Sequence, residues 1–218
     1  MRSAVARKIF MTWGSVARPV EGACRVPHGG HSARLPGVQG NDNTHRPHDP
    51  VPSAVSAPRL FDVHEHHLEA IVDLNEANLS ALGPMDDKKV RWFLQEAPYF
   101  RAMEVEGELA AFLIGLLPGS SYESLNYKWF DSNHEAFGYI DRIAVGGTHR
   151  RAGLGRKLYE DFTASLGPEI VRLAAEVNAR PRNEISLAFH QRMGFREIGT
   201  LESPDGSKEV FLMLKDLS

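Results

Sequence analysis

The stretch from Arg150 to Gly155 combines the residue types that bind phosphate groups. It holds two arginines, whose forked cations match phosphate oxygens, and two glycines, which let backbone amides approach a ligand closely. An apolar strand pattern over residues 137–145 precedes the stretch, and a helical pattern follows it. Because the first amides of a helix have no partners within the helix and carry a partial positive charge, they would point at the same ligand. The stretch therefore predicts a cradle for a pyrophosphate at the start of a helix.

Two stricter nucleotide-binding motifs do not fit this stretch. The chain contains no Walker sequence, Gly-x-x-x-x-Gly-Lys-Ser/Thr. A Rossmann motif would need a third glycine after Gly153 and Gly155, and Leu158 stands at that position. Glu176 lies near a predicted strand end, where an acid that binds ribose could stand, so a dinucleotide-dependent oxidoreductase stays an alternative. An ordinary strand-to-helix loop with surface arginines is the other alternative.

The strand before the cradle carries an irregular apolar pattern. Ile140 and Ile143 are three positions apart, so strict alternation cannot place both side chains on one face of a sheet. A β-bulge near Asp141 and Arg142 would place them on the same face. A bulge also leaves backbone groups unpaired, and these could bind a ligand.

The spacing of apolar residues predicts an α+β fold with a mixed sheet and one strand–helix–strand crossover. Helices are predicted over residues 67–82, 86–97, 153–166 and 183–193, and strands over 60–63, 99–105, 109–117, 137–145, 171–177, 195–201 and 209–214. Residues 118–135 are polar with scattered aromatic side chains and are predicted as a long loop.

The composition divides the chain near residue 60. Seven of the 13 prolines precede Leu60, and apolar periodicity is weak there, so residues 1–59 are predicted to be a mostly disordered basic extension. Residues 60–218 are long enough for one domain with a proper core. That domain holds 17 basic and 25 acidic residues, a balance that argues against nucleic acid as its partner. No apolar run reaches the roughly 20 residues of a membrane-spanning helix.

The first twenty residues contain four positive charges and no acid, as an organellar transit peptide does. They lack the apolar segment of a secretory signal. A basic extension without a targeting role is the alternative that we favour, and it predicts a cytoplasmic protein.

No metal site is predicted. The single cysteine, Cys24, excludes a disulfide framework and a cysteine-based zinc site. The run from His64 to His67 imitates the zinc motif His-Glu-x-x-His, but Leu68 stands where the second histidine is required.

Two segments together resemble the GNAT superfamily of N-acetyltransferases. Arg150-x-x-Gly153-x-Gly155 resembles the acyl-CoA-binding signature of the family, Arg/Gln-x-x-Gly-x-Gly/Ala. Downstream, Glu176-Val177, Asn183 and residues 187–195 resemble the family's "V…N…A…LYEKxGF" segment. The resemblance covers about 60–218, most clearly 137–196. It implies a GNAT-like acyl-CoA N-acyltransferase fold, with a mixed central sheet between helices in three layers, α/β/α.

The resemblance also implies an activity, which is transfer of an acetyl group from acetyl-CoA to a primary amine in a ternary complex. The acceptor would be a small molecule or a protein, and the last strands could pair in a homodimer. The residues implied to bind acetyl-CoA are Ile143, Ala144, Val145, Arg150, Arg151, Ala152, Gly153, Leu154, Gly155 and Asn183. In this arrangement the loop wraps the pyrophosphate, the edge of 143–145 pairs with the pantetheine arm, and an amide near Val145 holds the thioester carbonyl.

The attacking amine must be neutral, and an alkyl amine has a pKa near ~10.4, so a general base is needed. Glu176, Asp141 and Glu104 are the candidates, and an ordinary surface carboxylate is the alternative for each. Residues 122–130 and the helix around Asn75, Glu76 and Asn78 lie where the family builds its acceptor pocket.

The family often uses the tyrosine of "LYEKxGF" to protonate the departing thiolate, and this chain has His190 there. A histidine N–H can donate a proton or a hydrogen bond, so we hypothesise that His190 is the general acid. A histidine packed into the core is the alternative, and Tyr159 is the fallback acid. The missing tyrosine also keeps a non-catalytic acyl-CoA-binding module as a second hypothesis.

Overall fold

A computed structural model describes residues 57–217 of the chain. Residues 1–56, which include Cys24 and most of the predicted extension, and Ser218 lie outside the described residues. The first element begins at Arg59, next to the predicted domain boundary.

The described elements are strands interspersed with helices. In chain order they are β1 (Arg59–Asp62), α1 (Leu68–Glu76), α2 (Asp87–Glu96), β2 (Tyr99–Val105), β3 (Glu108–Leu116), α3 (Leu125–Asn133), β4 (Phe137–Val145), α4 (Leu154–Ser165), β5 (Arg172–Arg180), α5 (Glu184–Arg192), β6 (Arg196–Glu202) and β7 (Glu209–Asp216). Among these helices, none combines the length and the apolar character needed to cross a bilayer.

The strands form a mixed seven-stranded sheet in the order β1-β2-β3-β4-β5-β7-β6. β4 and β5 are parallel and are joined by α4, which is the predicted strand–helix–strand crossover. The other neighbouring strands of this sheet are antiparallel.

Helices cover both faces of the sheet, which confirms the predicted three-layer fold. On one face, a core cluster joins α1, α2 and α3 to the sheet, with Ile71, Phe93 and Phe130 fully buried. On the other face, a second cluster lies under α4 and α5. Close contact of α4 with the sheet depends on Gly115, where an added Cβ would lie 2.5 Å from the ring of Phe162.

The predicted bulge is present in β4. Ile114 pairs with Arg142, and the next residue of β3, Gly115, pairs with Ile140, so Asp141 is the extra residue. As a result, Ile140 and Ile143 both contact the cluster under α4 and α5.

Residues 118–135 were predicted as a loop, and that prediction is wrong for their second half, which forms α3. The Ser124 hydroxyl caps this helix by accepting from the Tyr127 amide at 3.5 Å. Tyr127 and Phe130 are three positions apart and both fully buried. This helical spacing indicates the helix, but it spans a single turn within a mostly polar segment and was therefore missed.

α1 ends at Glu76, earlier than the predicted residue 82. Asn78 gives the physical reason, because its side-chain amide donates to the Leu74 carbonyl at 2.8 Å and its backbone amide donates to Asn75 instead. The side chain thus takes the carbonyl that would have continued the helix.

Candidate active site

β4 and β5 diverge at the centre of the sheet. Their parallel pairing runs from Phe137 and Arg172 to Ile140 and Ala175. Beyond this point β4 pairs only with β3, and β5 pairs only with β7. This divergence leaves the β5-facing edge of residues 141–145 free to pair with an extended ligand. Ile143, Ala144 and Val145, three of the residues predicted to bind acetyl-CoA, form this edge.

The loop from β4 to α4 forms an open concave backbone. Arg151 has φ +68° and Gly153 has φ +80°, and left-handed residues of this kind build the backbone nests that bind anions. Residues 150–153 are exposed, and an added Cβ at Gly153 would meet nothing within 4 Å. The amides of the first turn of α4 open toward the same end of the loop. This geometry fits a diphosphate.

The remaining predicted cofactor residues have different surroundings. Leu154 is buried and holds the start of α4 on the core, whereas Ala152 is exposed in the loop. An added Cβ at Gly155 would lie 3.5 Å from both Ile143 and Phe189, so this position packs between β4 and α5. Asn183 is the N-cap of α5, since its Oδ1 accepts from the Ser186 amide at 3.0 Å.

Two asparagines, one in α1 and one just after it, each accept a hydrogen bond from an arginine of β4 or of the loop that follows β4. Asn75 is fully buried and accepts from Arg142 Nη1 at 2.7 Å, and Asn78 accepts from Arg150 Nη2 at 3.2 Å. Arg142 Nη1 also donates to the Gly83 carbonyl. These asparagines were predicted to line the acceptor pocket, and in the structure their amide groups are occupied by these contacts.

Glu176 is the first residue of β5 beyond its pairing with β4, and it faces α3. Its Oε2 accepts from the Tyr139 hydroxyl at 2.5 Å, and its Oε1 accepts from Asn126 Nδ2 at 3.2 Å. Burial raises the pKa of Glu176 to about 7, and the negative charge of Asp141 acts in the same direction. The residue keeps part of its surface exposed. A carboxyl group with this pKa can take up and release a proton near neutral pH.

Asp141 lies on the same side of the sheet as Glu176 but has a different partner. Its side chain is 4% exposed, and Arg142 Nε donates to it at 2.8 Å. Asp141 is therefore the counter-ion of a buried arginine. Glu104, the third predicted base, lies on β2, where it pairs with Arg59 of β1. The strand β3 separates it from β4.

His190 lies in the core between α4 and α5, where it is 3% exposed. Its Nδ1 donates to the Ser186 carbonyl at 2.8 Å, so its Nε2 accepts from the Tyr159 hydroxyl, also at 2.8 Å. Burial lowers the pKa of His190 and favours the neutral ring. With both nitrogens occupied, the ring has no N–H to offer a thiolate, and the structure favours the core-packing alternative.

His190→Ala is expected to lower the free energy of unfolding by roughly 2–4 kcal/mol and to leave kcat nearly unchanged, because it removes core packing and the partner of a buried hydroxyl. His190→Gln, which keeps a polar group, should lose less. The pKa of His190 is lower in the folded state than in the unfolded state, so the unfolded state binds a proton more readily. The stability that the neutral ring provides to the wild-type protein should therefore be lost as the pH falls below about 6.5. Chemical denaturation and initial rates measure both quantities. A large fall in kcat in a fully folded variant would restore the general-acid hypothesis.

Two groups around Glu176 were missed from the sequence, Tyr139 and Asn126. Alternation along β4 places Tyr139 on the face opposite to Ile140, which was a usable signal. Asn126 belongs to the segment that was predicted as a loop, so its position was missed together with α3 itself.

An aromatic wall of Trp92, Phe93 and Tyr122 stands beside Glu176. The rings of Trp92 and Tyr122 are stacked with centroids 5.2 Å apart, and Phe93 contacts both. Burial, then the charge and hydrogen bond of Asp141, raise the pKa of Tyr122, and the Glu176 charge adds to the effect. The wall is thus next to both acids, and its partly exposed members, Trp92 and Tyr122, can contact an acceptor.

The histidines after β1 lie against one another. The rings of His66 and His67 have centroids 3.8 Å apart, and His67 Nδ1 accepts from the His64 amide. Within residues 57–217, no group of three or more His, Cys, Asp or Glu residues is arranged to hold a metal ion.

Comparisons with known proteins address the fold and the family. Solved structures share the fold at low identity, among them the ribosomal-protein-S18-alanine N-acetyltransferase from Escherichia coli (21% identical, TM-score 0.55, covering 74% of this chain and 95% of that one). Ard1 from Thermoplasma volcanium is 18% identical with a TM-score of 0.59, covering 75% of this chain and 99% of that one. NAA60 from Arabidopsis thaliana, solved with a bisubstrate analogue, is 16% identical with a TM-score of 0.58, covering 73% and 98%.

A search of curated proteins finds no significant match. The model of the acetyltransferase (GNAT) family, whose members transfer acetyl groups from acetyl-CoA, matches residues 68–195, which is more than half of the chain and includes the cradle, the β4–β5 divergence and Glu176. The chain belongs to the GNAT acetyltransferase family.

Proposed function

We propose that this protein transfers an acetyl group from acetyl-CoA directly to a primary amine, with Glu176 as the general base. The observation that carries the proposal is the position of Glu176, a carboxyl group with a pKa of about 7 at the point where β4 and β5 separate. The open edge of β4 and the exposed loop before α4 support the same reaction.

The residues present fit acetyl-CoA, which supplies an activated acetyl thioester when bound. Gly153 and the first amides of α4 would hold the diphosphate, with Arg150 and Arg151 adding positive charge. The free edge of residues 143–145 would bind the amide groups of the pantetheine arm as a neighbouring strand does.

Glu176 would take the proton of the acceptor ammonium, so that the nitrogen lone pair is free to attack. The nitrogen forms a bond to the acetyl carbon, the carbon–sulfur bond breaks, and the nitrogen gives up its second proton to water, while Glu176 later releases its proton to the solvent. Because an alkyl thiol has a pKa near ~8.5, water can protonate the departing thiolate without a dedicated acid. Direct transfer is consistent with the absence of cysteine from residues 57–217.

A panel of primary amines with acetyl-CoA tests the proposal, with release of CoA as the measurement. We expect turnover with at least one class of amine, and no acetylated enzyme when acetyl-CoA is mixed with the protein alone. Binding of CoA without turnover across small-molecule and peptide amines would instead favour the non-catalytic binding module. Stabilisation by NAD(P) and not by CoA would contradict both readings.

A further inference from the structure

Lys89, in the first turn of α2, places its ammonium group against the aromatic wall, in the region between this wall and the acids Asp141 and Glu176, which we call the cleft. Its Nζ lies 5.6 Å from the ring centroid of Tyr122 and 5.8 Å from that of Phe93. The side chain is half-buried. The negative charges of Asp141, Glu176 and Asp86 raise the pKa of Lys89, so these acids lie near enough to act on the ammonium group.

Among the described residues, this ammonium group forms no ion pair. Within residues 57–217, the lysine ion pair joins Lys128 to Glu123, and none involves Lys89. The nearby acids already have partners, because Asp141 is paired with Arg142 and Glu176 accepts from Tyr139 and Asn126. Burial, and then the charge of Arg142, lower the pKa of Lys89.

No ion pair in the described part of the chain holds this half-buried cation, so the free-energy cost of its lost hydration is compensated only in part, by the more distant charges of Asp141, Glu176 and Asp86. The positive charge of Arg142 adds to that cost. Aromatic faces offset part of it, but at these distances their attraction is modest. The cleft is therefore complementary to an anionic group that comes from outside the described residues.

We propose that Lys89 binds a carboxylate of the acceptor, so that the acceptor is an amino acid or a related amine that carries a carboxylate close to its nitrogen. This inference rests on the proposed function, because it assumes that the acceptor amine meets Glu176. Trp92 and Tyr122 form a flat apolar wall beside both groups, which fits the side chain of such an acceptor.

The same charge disfavours other classes of amine. A polyamine would bring a second positive charge next to Lys89 and Arg142, and it offers no anion in return. An amino acid neutralises Lys89 through its carboxylate, and the positive charges nearby help its ammonium group to lose a proton.

Matched pairs of acceptors test this inference, each pair being an amino acid and the amine that results when its carboxylate is removed. The wild-type protein should prefer the amino acid by roughly 10- to 100-fold in kcat/KM, because a hydrogen-bonded ion pair contributes that much binding. Lys89→Met should abolish the preference by slowing the amino acid and not the decarboxylated amine. Lys89→Arg should keep part of it.

Lys88→Met is the matched control, since Lys88 is the neighbouring residue of α2 and is exposed. It should retain the full preference. Equal use of both members of each pair by the wild-type protein, or a preference that survives in Lys89→Met, would overturn the inference while leaving the proposed function intact. Acetylation of Lys89 itself, seen by peptide mass spectrometry, would also overturn it, because the amine would then be an acceptor.

If neither member of any pair is acetylated, that result counts against the proposed function on these acceptors. A binding measurement still tests the inference in that case. With CoA present, an N-acetylated amino acid should raise the melting temperature of the wild-type protein and of Lys88→Met, but not that of Lys89→Met. The matching N-acetylated amine should have no such effect. Equal stabilisation by both compounds, or by neither, would contradict carboxylate binding at Lys89.

Discussion

Glu176→Gln is expected to lower kcat/KM by roughly 10²- to 10³-fold at pH 8, because it removes the proton acceptor and keeps the size of the side chain. The glutamine amide oxygen can still accept from Asn126, and its NH2 group can donate to the Tyr139 hydroxyl oxygen in place of the bond that Tyr139 donates to the carboxylate. The loss should appear in kcat more than in the KM for acetyl-CoA, since the cradle at Arg150–Gly155 is unchanged. Initial rates of CoA release measure both constants.

The pH profile gives a second signature of the same residue. Glu176 must be ionised to accept a proton, so the wild-type kcat/KM should rise with pH through about 7, the pKa of the buried carboxyl, and then level. In Glu176→Gln the rise near pH 7 should be missing, and any remaining rise at higher pH should follow the amine itself.

Glu104→Gln is the matched control, since it neutralises a predicted base on β2, which is separated from β5 by both β3 and β4. It should keep the wild-type rate and pH profile.

The thermal stability of Glu176→Gln gives a further check. The pKa of Glu176 is higher in the folded state than in the unfolded state, so its ionisation destabilises the folded state at any pH above the unfolded pKa. Glu176→Gln removes this cost and should melt at the same temperature as wild type, or higher, at pH 8. An active Glu176→Gln, or an inactive one that is unfolded, would remove the support for this base.

Local patterns were sufficient for the elements that build the cofactor side of the site. The spacing of Ile140 and Ile143 predicted the bulge at Asp141, and two glycines with two arginines predicted the exposed loop before α4. Both signals lie within a few residues of one another in the chain. Short-range patterns of this kind survive in the fold because backbone geometry imposes them directly.

The acceptor side depends on contacts between distant segments. The pKa of Glu176 is set by burial and by Asp141, and its partner Asn126 comes from a helix that the sequence did not predict. His190 carries equal arguments for a chemical and a packing role in the sequence, and its contact with Tyr159 in the structure favours packing. Lys89 had no signal in the sequence, because its isolation from counter-ions is a property of the assembled cleft.

Gly153→Val is expected to weaken binding of acetyl-CoA by roughly 10- to 100-fold, because a non-glycine residue in the left-handed region costs about 1–2 kcal/mol and a branched side chain is worse. Gly153 has φ +80°, and the space where its Cβ would stand is open. The new side chain would therefore both strain the nest and project into the volume that the diphosphate is proposed to fill. Calorimetry with CoA measures the affinity, and the KM for acetyl-CoA should rise in parallel.

Gly107→Val separates loss of the cradle from strain alone. Gly107 has φ +84° in the turn between β2 and β3, and an added Cβ there also meets nothing within 4 Å, so the backbone penalty is matched. This variant should lose a similar amount of stability and keep wild-type affinity for CoA. If both variants bound CoA equally well while folded, the diphosphate would not lie at Gly153, and the acetyl donor would have to enter the β4–β5 divergence from another direction.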